Sequence, residues 1–177
     1  MLNIFVNTWG NYNENGADGG EWLTLPMEPD ELEEKLKAIA AAMGDNDPEW
    51  AIHDYEWTTE IELGDVHEMD SIMEWNEYCQ EADALEPWEL EEIAAAIEAW
   101  DYAFLDAMDR QQRGHFVFYK GQTLEDLAYE FVEDTLACYG AKEIPDIFKT
   151  YFDYESYARD LTFDGYHEVT NGVIWEG

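Results

Sequence analysis

Asp70-Ser71-Ile72-Met73-Glu74-Trp75-Asn76-Glu77-Tyr78-Cys79-Gln80-Glu81-Ala82 carries two interleaved periods. Ile72, Trp75, Cys79 and Ala82 step by 3, 4 and 3 residues, while Asp70, Glu74, Glu77 and Glu81 step by 4, 3 and 4. At 3.6 residues per turn each set forms one stripe, so the spacing predicts a helix with an apolar core face and a carboxylate row opposite. Pro87 suits the first turn of a second helix. In that helix Leu90, Ile93, Ile97, Trp100, Phe104 and Met108 are expected to line one side over roughly twenty residues. Its acids, Glu89, Glu92, Glu98, Asp101, Asp106 and Asp109 among them, are expected to face outward.

On the N-terminal side of this helical stretch the pattern changes to alternation. Leu2 to Asn7 reads as a half-buried strand, Asn11 to Gly20 as a loop, Trp22 to Leu25 as a second strand and Trp50 to Tyr55 as a third. Between the last two, Pro29 opens a helix with acids first and Lys35 and Lys37 later, an order that complements the helix dipole. Leu32, Leu36, Ile39, Ala40 and Met43 give its inner face and Gly44 its end. On the C-terminal side, Arg110 to Gly114 marks a boundary. His115 to Lys120 follows as a strand, Thr123 to Ala137 as a helix with Leu124, Leu127, Phe131 and Leu136 inward, and Asp153 to Leu161 as a helix capped by Asp153. Asn171-Gly172 between apolar arms signals a hairpin over Tyr166 to Trp175. The expected fold is α+β, an elongated chain of three modules: a β-β-α-β module at 1–62, an acidic helical module at 63–109 and an α+β module at 110–177.

Charge narrows the function. The 177 residues hold 43 Asp plus Glu against 8 Lys plus Arg, a net charge of −35. From Ala38 to Asp109 there are 22 carboxylates in 72 residues and neither Lys nor Arg. Nucleic acid and anionic membranes require cationic surfaces, so both are excluded as direct partners. With 46% apolar and 15% aromatic residues a packed core is expected despite the charge. Adaptation to salt gives no reason to remove every cation from one stretch while leaving six in the last 68 residues. No apolar run reaches the length of a membrane span and Met1 to Val6 lacks the features of a signal peptide, so a soluble, cytoplasmic protein is expected. Cys79 and Cys138 form no metal or disulfide motif and are read as reduced thiols.

Catalytic chemistry finds little support. The nucleophile-elbow, P-loop, zincin and dinucleotide-binding motifs are missing, Ser occurs only as Ser71 and Ser156, and His53, His67, His115 and His167 are scattered. No cofactor and no metal site is expected. Calcium is the one metal to weigh, because Asp45, Asp47, Glu49 and Glu56 match positions 1, 3, 5 and 12 of an EF-hand loop. Trp50, however, stands where the loop needs Gly, and Pro48 stiffens it. The carboxylate row suggests something else. Glu74, Glu77 and Glu81 are spaced by about 4.5 and 6 Å along a helix axis, against about 3.4 Å per phosphate in one DNA strand. Such a surface fits the basic groove of a DNA-binding protein, with fast and salt-sensitive association. An acidic module for some other basic partner, such as a nucleoid protein or repressor, stays open at this point.

The segment from Tyr151 to Tyr166, with Asp153, Tyr154, Ala158, Arg159, Asp160 and Gly165, resembles the closing signature of ArdA-type antirestriction proteins. Gly10-Asn11-Tyr12-Asn13, then Gly20 to Met27, resembles the family's opening, and Ala51 to Glu56 its next strand. The resemblance implies an elongated, three-module, dimeric protein, commonly encoded on mobile elements, that imitates bent B-form DNA. It would occupy the DNA-binding core of the specificity and modification subunits of type I restriction-modification enzymes. The family's antirestriction motif and dimer contact would fall on Leu124 to Leu136, with Leu124, Leu127, Glu130, Phe131 and Asp134 as contact residues. The middle of the chain keeps the family's charge rather than its letters.

Overall fold

Alternating Leu2, Ile4 and Val6, all wholly buried, make Leu2–Thr8 a central strand, β1. The computed structural model describes residues 1–140 and 145–177, with Phe148 and Lys149 in backbone only. The chain is α+β and divides into two compact units, 1–91 and 92–177.

In the first unit β1 is flanked by two antiparallel partners, β2 (Glu21–Leu25) and β3 (Trp50–Trp57), in the order β2-β1-β3. The Asn-rich segment expected to be a loop instead contains a short helix, α1 (Trp9–Asn15). Thr8 caps it by accepting from the Asn11 N–H at 3.2 Å. An amide ladder runs along it, Asn11 Nδ2 donating to Asn7 Oδ1 and Asn15 Nδ2 to Asn11 Oδ1, both at 2.9 Å. These side chains supply the local partners that Asn more often uses to break a helix. Helix α2 (Pro29–Met43) has the expected bounds, and Gly44 closes it at φ 74°. Helix α3 (Ile72–Asp83) buries Ile72, Trp75 and Cys79 in the same core as Leu2, Ile4, Leu32, Leu36 and Ile39.

Asn76 fixes where α3 sits. It is almost fully buried, accepts from the Met27 N–H at 2.7 Å and donates to the Met27 carbonyl at 2.9 Å, satisfying both backbone groups of one residue. Gln80 donates a second bond to that carbonyl at 2.7 Å.

The long helix expected from Pro87 to Met108 is two helices. The first, α4 (Pro87–Trp100), ends at Asp101, whose φ of 56° is left-handed, and α5 (Phe104–Gln112) begins three residues later. Asp tolerates that conformation better than most residues. The apolar spacing survives the break because Phe104 is buried after it as Ile93 is before it. Trp100 packs near the joint, stacked on Phe116 at 5.6 Å and edge-on to His167 at 5.0 Å.

In the second unit β4 (Phe116–Lys120), β5 (Tyr166–Val169) and β6 (Gly172–Glu176) form an antiparallel sheet in the order β4-β6-β5. Val169 pairs with Gly172, so the hairpin turns on Thr170-Asn171, one residue earlier than the Asn-Gly signal suggests. A Cβ on Gly172 would lie 2.4 Å from the Tyr119 carbonyl oxygen, so close approach of β4 requires the glycine. Helices α6 (Leu124–Cys138), α7 (Asp146–Tyr151) and α8 (Tyr154–Leu161) complete the unit. Leu127, Ala128 and Val132 meet Tyr154, Ala158, Leu161 and Val173 in its core.

Candidate acidic interface

Burial of Ile72, Trp75 and Cys79 turns the opposite side of α3 to solvent, and Glu74, Glu77 and Glu81 are exposed there. Asp70 leaves the expected row. The helix begins after it with Ser71 as cap, and the half-buried Asp70 carboxylate accepts from the His67 N–H at 2.8 Å and the Trp75 indole N–H at 3.0 Å. Among the described residues no hydrogen bond or ion pair holds the carboxylate of Glu77 or Glu81. Glu74 accepts from the Tyr78 hydroxyl at 2.5 Å, and burial, followed by that bond to a carboxylate, pushes the Tyr78 phenol up to about 12.

The acids of α4 and α5 divide into those that hold structure and those that do not. Glu89 accepts from the Glu86 N–H at 2.8 Å at the start of α4, and Glu92 from the Gln111 amide at 3.1 Å. Glu98 accepts from both the N–H and the hydroxyl of Thr170, at 2.8 and 2.9 Å. Asp109 pairs with Arg113 at 2.9 Å. Asp101 and Asp106 are exposed, and their carboxylates make no hydrogen bond or ion pair among the described residues. Other exposed acids escaped the helical periodicity because they lie on a strand and the loop after it: Asp54 and Glu56 on β3, then Glu60, Glu62 and Asp65. Alternation on β3 was the signal for the first two.

Cations do little to offset this field. Lys35 pairs with Glu31, Lys37 with Glu33 and Arg159 with Asp160. Arg110 pairs with Glu176 and lies over the Tyr102 ring, 4.5 Å from its centroid. Each such contact uses the positive charge locally.

The EF-hand spacing has no loop to support it. Its last seven positions, from Trp50 to Glu56, lie on the extended strand β3. Among the described residues no group of three or more His, Cys, Asp or Glu is arranged to hold a metal ion, and no helix is long and apolar enough to cross a membrane.

Residues 4–175 match the family model described as antirestriction protein (ArdA). The chain belongs to the ArdA family. No curated protein matches it. The letters that carry the ArdA likeness near the C-terminus hold local structure. Asp153 caps α8 by accepting from the Ser156 N–H at 2.9 Å and hydroxyl at 2.7 Å, Tyr154 and Ala158 are buried, and Gly165 takes a left-handed φ of 88°. On α6 of this ArdA chain, Leu127 is wholly buried and Leu124 and Phe131 pack against the same core. Glu130 and Asp134 are exposed, Glu130 accepting from the Gln122 amide at 2.9 Å. A second protomer meeting this helix would therefore touch Glu130 and Asp134 before it touched Leu127.

Proposed function

We propose that this antirestriction protein acts as a mimic of B-form DNA that competes with DNA for the binding core of a type I restriction-modification enzyme, formed by its specificity and modification subunits. The observation that carries this reading is the cation-free stretch from 38 to 109, whose 22 acids include Glu77, Glu81, Asp101 and Asp106, exposed and with carboxylates that make no hydrogen bond or ion pair among the described residues. A basic groove that releases counterions on binding phosphates gains the same driving force from such carboxylates. The protein performs no reaction in this account, needs no cofactor, and works by occupancy in the cytoplasm as a homodimer. Its functional division follows the modules 1–62, 63–109 and 110–177, with the middle one central to the contact. Of the ten acids expected from the sequence, Asp70, Glu89, Glu92, Glu98 and Asp109 hold structure through their side-chain partners and would contribute field more than contact.

The test is displacement. Purified protein is titrated into an active type I enzyme holding a labelled duplex at low salt; release of the duplex is expected, and an enzyme that keeps its duplex while remaining active refutes the proposal. Binding instead to a nucleoid protein or repressor, with no effect on the restriction enzyme, would favour the reading as a module for another basic partner.

A further inference from the structure

The sheet of the first unit has a face that its core does not use. Leu2, Ile4, Leu23 and Leu25 are buried, and the residues between them lie on the other side. Register lines these up in two cross-strand rows, Trp22–Phe5–Asp54 and Thr24–Asn3–Glu56. In the first row the Phe5 and Trp22 rings are 5.6 Å apart at 54°, and Trp22 is 52% exposed. In the second, Thr24 donates to Asn3 at 2.8 Å, while the exposed Glu56 carboxylate makes no hydrogen bond or ion pair among the described residues. Asp54 is exposed as well, and one of its oxygens accepts from the Tyr55 N–H at 2.9 Å.

An exposed Trp beside an aromatic ring forgoes a large apolar burial, and the Asp54 and Glu56 carboxylates on the far strand of the same face disfavour a purely apolar occupant. Arginine suits both features. Its methylene stem covers aromatic surface, its planar and weakly hydrated guanidinium stacks on rings, and its fork meets a carboxylate with two hydrogen bonds. Strands lie about 4.8 Å apart, so the row from Trp22 to Asp54 spans about 10 Å, within reach of one arginine lying across Phe5. Lysine offers charge without the stacking plane or the fork.

We propose that this sheet face docks an arginine-bearing segment of a partner protein. Taking that partner to be the DNA-binding enzyme rests on the function proposed above, whereas the preference for arginine does not. The face would add a contact less sensitive to salt than the helical acids, because stacking persists where ionic attraction is screened.

The experiment titrates the full chain with fluorescent nona-arginine and nona-lysine, equal in charge, at one salt concentration. The ratio of the two affinities is expected to fall about fivefold in Trp22→Ala, the size of an aromatic–cation contact. It should hold in Trp22→Phe, which keeps a ring, and in Trp88→Ala, which removes the exposed Trp of α4. Circular dichroism checks that each variant is folded. An unchanged ratio in folded Trp22→Ala overturns the proposal, as does an equal fall in Trp88→Ala. Altered self-association of Trp22→Ala with an unchanged ratio assigns the face to a second copy of the chain and also overturns it. The same variants in the duplex-displacement assay separate the two ideas: failure of the wild type there sinks the DNA-mimic reading and leaves the peptide ratio to decide the sheet face.

Discussion

At the scale of single residues, Asn76 and the two cysteines give the sharpest tests. Asn76→Ala removes both bonds to Met27 and leaves its N–H without a partner in a buried place, so a loss of about 2 kcal/mol is expected in urea unfolding. A loss below about 0.5 kcal/mol would mean that α3 is held by its apolar face alone. Cys79 is buried and burial pushes its thiol up to about 11, whereas Cys138 is exposed. A thiol reagent at pH 8 should label Cys138 in the native protein and Cys79 only on unfolding; equal rates for both would contradict the packing of α3. The polar role of Asn76 was hidden in the sequence, because its partner lies 49 residues away and no period links the two. The burial of Trp75 and Cys79 was legible, because their spacing with Ile72 follows from helix geometry alone.

At the scale of elements, the helix caps set an acid limit. The Thr123 N–H and hydroxyl hold the Asp126 carboxyl below its usual value, and the Ser156 N–H and hydroxyl do the same for Asp153. A carboxyl depressed in the folded state stabilises above its unfolded value of about 3.9 and loses that effect as pH falls through the folded value. The stability gap between wild type and Asp126→Ala or Asp153→Ala should therefore be full above about pH 5 and shrink steadily below pH 4. A gap independent of pH would show that the caps act without their charge. Legibility differed between elements for physical reasons. Helix α2 was readable at both ends because Pro29 and Gly44 mark them, but nothing marked the break at Asp101, where neither Gly nor Pro stands and the apolar spacing runs on. Helix α1 was unreadable because side-chain amides reverse the usual preference of Asn. For the acidic surface, periodicity found Glu77 and Glu81 but also took in Asp70, whose engagement with Trp75 depends on the turn before the helix. On α3, neutralising Glu74, Glu77 and Glu81 to Gln together should weaken inhibition about tenfold, and each alone less than about fivefold, as expected of exposed charges acting additively. Complete loss from one substitution would point to a specific site instead.

At the scale of the whole molecule, a net charge of −35 acts on folding and on binding in opposite ways. Self-repulsion opposes the compact state and is screened by salt, so thermal stability should rise between about 0.05 and 0.5 M salt. The same screening should weaken the partner. A fall in stability over this range would mean that specific ion pairs, such as those of Lys35 and Lys37, outweigh the repulsion. The most direct test of the mimic is the salt dependence of the protein's affinity for a type I restriction-modification enzyme, measured beside that of the enzyme's own duplex. For both, the logarithm of affinity is expected to fall steeply and linearly with the logarithm of salt, with slopes of similar size, and each is expected to compete fully with the other. A flat salt response, or simultaneous binding of protein and duplex, would contradict mimicry.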